Sequence, residues 1–154
     1  GNPEEGWPYV KELAANLGGK LLSGSSVVYK GVADGEYTVG LTFEEGAAQY
    51  VAAGAPVKIV YMTEGVIFRP DCIQIIKAAE NIKNAKLFVN YCTSRPIQIM
   101  IAATLNRRSV RNDVPPAVGL PPLTEINILI DDPAVAIAKK DIWLNKFKEI
   151  FTSF

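Results

Sequence analysis

The chain has 154 residues, 49% of them apolar, and its 16 Lys and Arg are balanced by 16 Asp and Glu. That is the size of one ordinary globular domain, and zero net charge sets it apart from nucleic-acid binders, which carry a basic excess to displace counterions, and from polybasic membrane anchors. With no His and only two Cys, it has no Ser–His or Cys–His nucleophile unit, no His-ligated metal centre and no four-thiolate zinc site.

No apolar run approaches the ~20 residues that cross a bilayer. The opening Gly1-Asn2-Pro3-Glu4-Glu5 has neither the basic region nor the apolar core of a signal peptide. The expectation is therefore an intracellular protein or one whose beginning is missing. Trp7, Val10, Leu13, Ala14 and Leu17 follow helical spacing, and Gly18-Gly19 predicts the stop. Lys20–Leu22 reads as a short strand. Ser23-Gly24-Ser25-Ser26 reads as a turn that opens a helix running to Ala33, and Asp34-Gly35 as the next turn. Residues 37–43, Tyr-Thr-Val-Gly-Leu-Thr-Phe, predict a buried strand. Glu44 to Ala53 predicts a helix with two acids in its first turn, ended by Gly54-Ala55-Pro56, and Val57–Met62 predicts another strand.

Further along, Val66–Phe68 and Cys72–Ile76 predict strand segments separated by a bend at Pro70-Asp71. The stripe of Ile82, Ala85, Phe88, Val89 and Cys92 predicts a helix, and Pro96 a second one reaching Leu105. Asn106–Thr124 holds three Arg and four Pro without periodicity and reads as an extended surface arm. Asn127–Ile130 predicts a short strand. Asp131 or Asp132 caps a last helix opened by Pro133, with Trp143, Phe147, Ile150, Phe151 and Phe154 packing from one face. Alternating strands and helices imply an α/β fold with a mixed, mainly parallel sheet.

In such sheets ligands bind where strand ends enter helix starts, which singles out two loops. Ser23, Gly24, Ser25 and Ser26 offer hydroxyls and backbone N–H groups at a helix start, a place for phosphate, phosphonate or carboxylate, although a plain helix cap explains the same pattern. Thr42, Phe43, Glu44 and Glu45 form the second loop. The two Glu can accept from an amine or sugar hydroxyls, or simply complement the helix dipole. Paired catalytic carboxylates face each other about 5–9 Å apart across a substrate, which neighbours at one helix start do not. Glu64, after the following strand, either lines the same cleft or is a solvated turn residue. Arg107, Arg108 and Arg111 are read as ties between the arm and acids or carbonyls rather than as an anion clamp. Cys72 and Cys92 are read as buried thiols, a disulfide requiring an oxidising compartment. No phosphate-binding Gly-rich loop with Lys is present, and nothing calls for a metal or cofactor. The pattern points to binding rather than catalysis.

The order of segments resembles the later half of a type II extracytoplasmic solute-binding protein of an ABC importer, in the group that takes ferric iron, hexose phosphates and aminoethylphosphonate. The resemblance rests on residues 6–13, Gly-Trp-Pro-Tyr-Val-Lys-Glu-Leu; on Ser23–Ser26 followed by residues 32–40; and on Gly54–Val57 and Glu64-Gly65. It continues in Asn84-Ala85-Lys86-Leu87-Phe88, in residues 107–114, Arg-Arg-Ser-Val-Arg-Asn-Asp-Val, and in Gly119–Leu123. It implies a periplasmic-binding-protein-like lobe plus an incomplete portion of the other lobe: residues 1–66 and 124–154 in the second lobe, and 67–123 as the return crossing strand and part of the first. It places Ser25 and Ser26 at the anion-binding helix start, and Thr42–Glu45 and Glu64 on the cleft wall. It implies a non-enzymatic protein that hands a small anionic solute to ABC permease subunits, in the periplasm or outside the cell, with a lipid anchor on a missing N-terminus as one form. The absent first-lobe segment, or a swapped partner chain, would cover apolar surface from Ile73 to Leu105. Ferric iron fits poorly, because Glu45-Gly46 stand where iron binders have a Tyr pair. The alternative class is a small enzyme acting on an anionic substrate, with Glu44 or Glu45 as acid or base, and a third reading is a self-standing interaction domain.

Overall fold

The computed structural model describes residues 3–154. Gly1 and Asn2, which open the segment read above for a leader, lie outside the described residues. The described chain carries helices α1 (Pro3–Asn16), α2 (Ser25–Ala33), α3 (Glu44–Ala52), α4 (Ile82–Cys92), α5 (Arg95–Leu105) and α6 (Pro133–Phe151). Two short strands, β1 (Val66–Ile67) and β2 (Ile128–Leu129), pair in parallel with Val66 opposite Ile128 and Ile67 opposite Leu129. The chain is thus mixed α/β and dominated by helix, and among the described residues parallel pairing is limited to this one short ladder.

Contacts divide it into two compact units, one made of the chain up to Gly24 with Ile130–Phe154, the other of Ser25–Leu129. In the first unit α1 packs on α6. Ala14 is fully buried and Phe151 nearly so, and the Phe147 and Phe151 rings lie 4.4 Å apart. Asp132 is the cap of α6: its carboxylate accepts from the Ala134 N–H at 2.8 Å, and Pro133 supplies the preset φ of the first turn. The Lys146 ammonium sits 4.7 Å above the Trp7 ring.

In the second unit α2 packs on α3, and α4 on α5. The helix ends around the candidate loops are closed by glycine. The Glu36 N–H reaches the Gly31 carbonyl at 2.8 Å while Gly35 donates to Val32; the Ala55 N–H reaches Tyr50 at 3.0 Å while Gly54 donates to Val51. These paired bonds need a left-handed residue, and Gly35 and Gly54 have φ of 78° and 79°. Helix α5 ends on Asn106, also left-handed at φ 49°, a conformation that Asn tolerates. The small core joins Ala48, Ala117 and Leu120, with Ile59 against it. Gly46 brings α3 onto α2 so closely that a Cβ there would meet the Tyr29 ring at 2.1 Å.

The structure corrects the strand expectations. Lys20–Leu22, Tyr37–Phe43, Val57–Met62 and Cys72–Ile76 belong to no ladder. Residues 37–43 are not buried either: Val39, Leu41 and Phe43 are 80%, 61% and 75% exposed. Apolar alternation reports which side of an extended segment prefers burial, but pairing requires a neighbour strand to meet it. Residues 57–62 keep the alternation, with Val57, Ile59 and Tyr61 half-buried and Lys58, Val60 and Met62 exposed. Cys72 is exposed rather than buried, and both cysteines are free thiols. Residues 106–124 do form an irregular arm up to the 3₁₀ turn at Leu123–Glu125. The arm is anchored by Gln98, 7% exposed on α5. The Gln98 side-chain oxygen accepts from the Ser109 hydroxyl and the Val110 N–H at 3.0 and 3.1 Å, and its nitrogen donates to the Cys92 carbonyl at 2.8 Å.

Candidate functional site

Helix α2 starts at Ser25, so Ser25 and Ser26 form its first turn, with Ser23 and Gly24 preceding it in the neighbouring unit. Helix α3 starts at Glu44 after Phe43, whose extended backbone provides no side-chain cap. The exposed N–H groups of that first turn are complemented by the carboxylates of Glu44 and Glu45. The Thr42 hydroxyl donates to the Ser25 carbonyl at 3.3 Å, which sets the start of α3 beside the start of α2.

Glu44 is engaged on both oxygens. Arg108 meets it in a two-pronged pair, Nε to Oε2 at 2.7 Å and a terminal nitrogen to Oε1 at 2.8 Å, while its other terminal nitrogen donates to the Pro121 carbonyl at 2.8 Å. The Tyr61 hydroxyl donates to the same Glu44 Oε1. The Arg108 side chain is 11% exposed and that of Glu44 25%. Burial, and then the hydrogen bond to the Glu44 carboxylate, push the Tyr61 hydroxyl up to about 12. Next to this centre Arg107 bridges Glu45 at 2.8 Å and Asp71 at 2.6 Å. Two adjacent Arg of the arm therefore clasp two adjacent Glu at the head of α3. Further along the arm Arg111 pairs with Asp113 and donates to the Thr93 carbonyl at 3.3 Å. The Arg111 hydrogen bond holds the Asp113 carboxyl below the usual carboxylate range.

Thr42, Phe43, Glu44, Tyr61 and Arg108 all border one groove of about 790 Å³, otherwise walled mainly by apolar side chains of residues 28–68 and 123–128. Its polar end is the Arg108–Glu44–Tyr61 centre. Glu64 is exposed, and its carboxylate accepts from the neighbouring Thr63 hydroxyl at 3.2 Å. Among the described residues no group of three or more His, Cys, Asp and Glu side chains is placed to hold a metal ion, and no helix is long and apolar enough to cross a membrane. Sequence reading missed Tyr61 as a site residue and treated the Arg–Glu pairing only generically. The signal was present as two adjacent Arg and two adjacent Glu, but their match depends on bringing positions 64 apart together.

A sequence profile of the family described as bacterial extracellular solute-binding protein matches residues 3–124. An uncharacterized protein of Haemophilus influenzae is 35% identical over 92 residues, which are 60% of this chain and 26% of that protein. The aligned part thus spans about a quarter of the relative's length. No solved structure matches the chain. With most of its length inside the family profile, the chain belongs to the bacterial extracellular solute-binding proteins.

Proposed function

We propose that the chain is part of the solute-capturing component of an ABC importer, taking a small anionic solute such as a phosphosugar or phosphonate and passing it to permease subunits. The observation that carries this reading is the Thr42–Ser25 hydrogen bond at 3.3 Å, which sets two helix starts side by side. The start of α2 has no acid in its first turn, so the positive end of its dipole favours an anion, while the start of α3 beside it carries Glu44 and Glu45, acceptors suited to the solute's hydroxyl or amino groups. The hydroxyls of Ser25 and Ser26 add donors for phosphoryl oxygens. Thr42, Glu45 and Glu64 are assigned to the solute's polar substituents, and Phe43 to its apolar edge.

In this reading residues 1–66 and 124–154 form the second lobe and residues 67–123 the crossing strand and part of the first. Solute capture is a closure stabilised by contacts made only in the closed state. The rest of the first lobe, or a second copy of the chain, covers the apolar face that includes Leu87, Phe88 and Tyr91. The protein works in the periplasm or outside the cell. An enzymatic role for Glu44 is disfavoured, because both of its oxygens are engaged by Arg108 and Tyr61. Calorimetric titration with sugar phosphates and phosphonates, beside a turnover assay on the same compounds, tests the proposal: saturable heat without product supports it, and product formation lost in Glu45→Gln contradicts it.

A further inference from the structure

The groove's polar end contains an arginine that solute binding as described leaves without a task. Arg108 is nearly buried, and three of its bonds are directed to protein groups: two to Glu44 and one to the Pro121 carbonyl. A guanidinium presents five N–H donors in a rigid fork, and the pair of donors best shaped for an oxyanion is here filled by the Glu44 carboxylate. Arg108 therefore lacks the open fork expected of an anion receptor. What it does instead follows from its partners. It joins the first residue of α3, the 57–62 segment through the shared Glu44–Tyr61 bond, and the far end of the arm at Pro121.

The residue preceding that helix by two, Thr42, makes the hydrogen bond that places α3 beside α2. A helix start without a side-chain cap is free to fray, and fraying here would move Thr42 and the first-turn N–H groups away from Ser25. We propose that Arg108 is a positioning residue for solute binding: acting through Glu44, it holds the first turn of α3 in register with the start of α2 and touches no solute itself. Lys in its place would keep the charge but lose the two-pronged geometry, so it is not a conservative replacement. Tyr61 assists, its protonated hydroxyl donating to the same Glu44 Oε1 that a terminal nitrogen of Arg108 meets.

This inference rests on the solute-binding reading, and its test separates the two. Glucose 6-phosphate is titrated calorimetrically into the wild-type chain, Arg108→Lys, Glu44→Gln and the double variant. The expected result is about a tenfold loss of affinity in each single variant, the low end of what removing the partner that orients a metal ligand costs, and no further loss in the double variant, since both changes break one unit. Additive losses would show Arg108 acting on the solute directly and would overturn the proposal. Amide hydrogen exchange on the same proteins without solute gives the second readout. Loss of protection confined to residues 47–50, the first amides of α3 with an intrahelical acceptor, in Arg108→Lys supports positioning, and unchanged protection there overturns it. If the wild-type chain takes up no phosphate ester, the solute reading fails, and the exchange result alone then decides whether Arg108 positions α3.

Discussion

Arg108 and Glu44 stand 64 positions apart in the chain and meet through two parallel hydrogen bonds of 2.7 and 2.8 Å. One contact thus ties an irregular, proline-rich arm to the head of the helix that borders the groove. Removing one partner leaves the other charge poorly solvated, which costs more than the pair contributes when intact. Arg108→Ala should destabilise the chain by about 2 kcal/mol, reduced from the fully buried case because Glu44 is a quarter exposed. Urea unfolding measures it, and an unchanged midpoint would remove the pair from the account.

Tyr61 gives a pH signature. Its ionisation is raised from an ordinary 10.0 to about 12, so the folded chain keeps a proton that the unfolded chain releases. The corresponding stability is complete below pH 10 and is lost as pH rises through about 12. Tyr61→Phe should flatten the alkaline fall in stability over that window. Glu44→Gln should move the tyrosinate absorbance step attributable to Tyr61 toward lower pH, because the carboxylate that disfavours the phenolate is gone.

Gln98 tests how the arm is held. Its side chain serves Ser109, Val110 and the Cys92 carbonyl from a site that is 7% exposed. Gln98→Ala should cost about 1–3 kcal/mol, the penalty of leaving buried polar groups unpaired. It should also make residues 106–124 the first site of limited proteolysis, visible by intact mass of the fragments.

Close packing of α2 on α3 depends on the missing side chain of Gly46. An Ala there would place its Cβ 2.1 Å from the Tyr29 ring, so Gly46→Ala should destabilise by about 1–3 kcal/mol through overpacking, despite the better helix propensity of Ala. Thermal unfolding followed by circular dichroism reads the difference.

Leu87, Phe88 and Tyr91 of α4 are 60%, 61% and 59% exposed. Contiguous apolar surface of this kind marks an interface or an aggregation site. The isolated chain should self-associate in light scattering, and Phe88→Glu should shift it toward monomer. A wild-type monomer at high concentration would show that the face is stable in water.

The helices were legible because their boundaries are written in local chemistry. Gly35 and Gly54 supply left-handed turns, Pro96 and Pro133 fit first turns, and Asp132 supplies a cap, so α2, α3, α4, α5 and α6 fall within a few residues of expectation. Strands were less legible. Residues 37–43 and 57–62 carry the apolar content of strands, yet neither enters a ladder, since a strand is completed by a partner that its own residues do not encode. The two loops of the candidate site were readable as helix starts, and the Thr42–Ser25 bond joins them. The Arg108–Glu44–Tyr61 centre was not, because it is created by folding three distant segments together. The resemblance of segment order to solute-binding proteins survived where the strand expectations did not, because it depends on residue succession rather than on pairing.

The most direct test of solute capture compares glucose 6-phosphate with glucose by calorimetry, on the wild-type chain and on Ser25→Ala/Ser26→Ala. Recognition of the anion at the paired helix starts predicts saturable heat for the phosphate ester, none for glucose, and loss of the signal in the double variant. Equal binding of both sugars, or full binding by the variant, would contradict it.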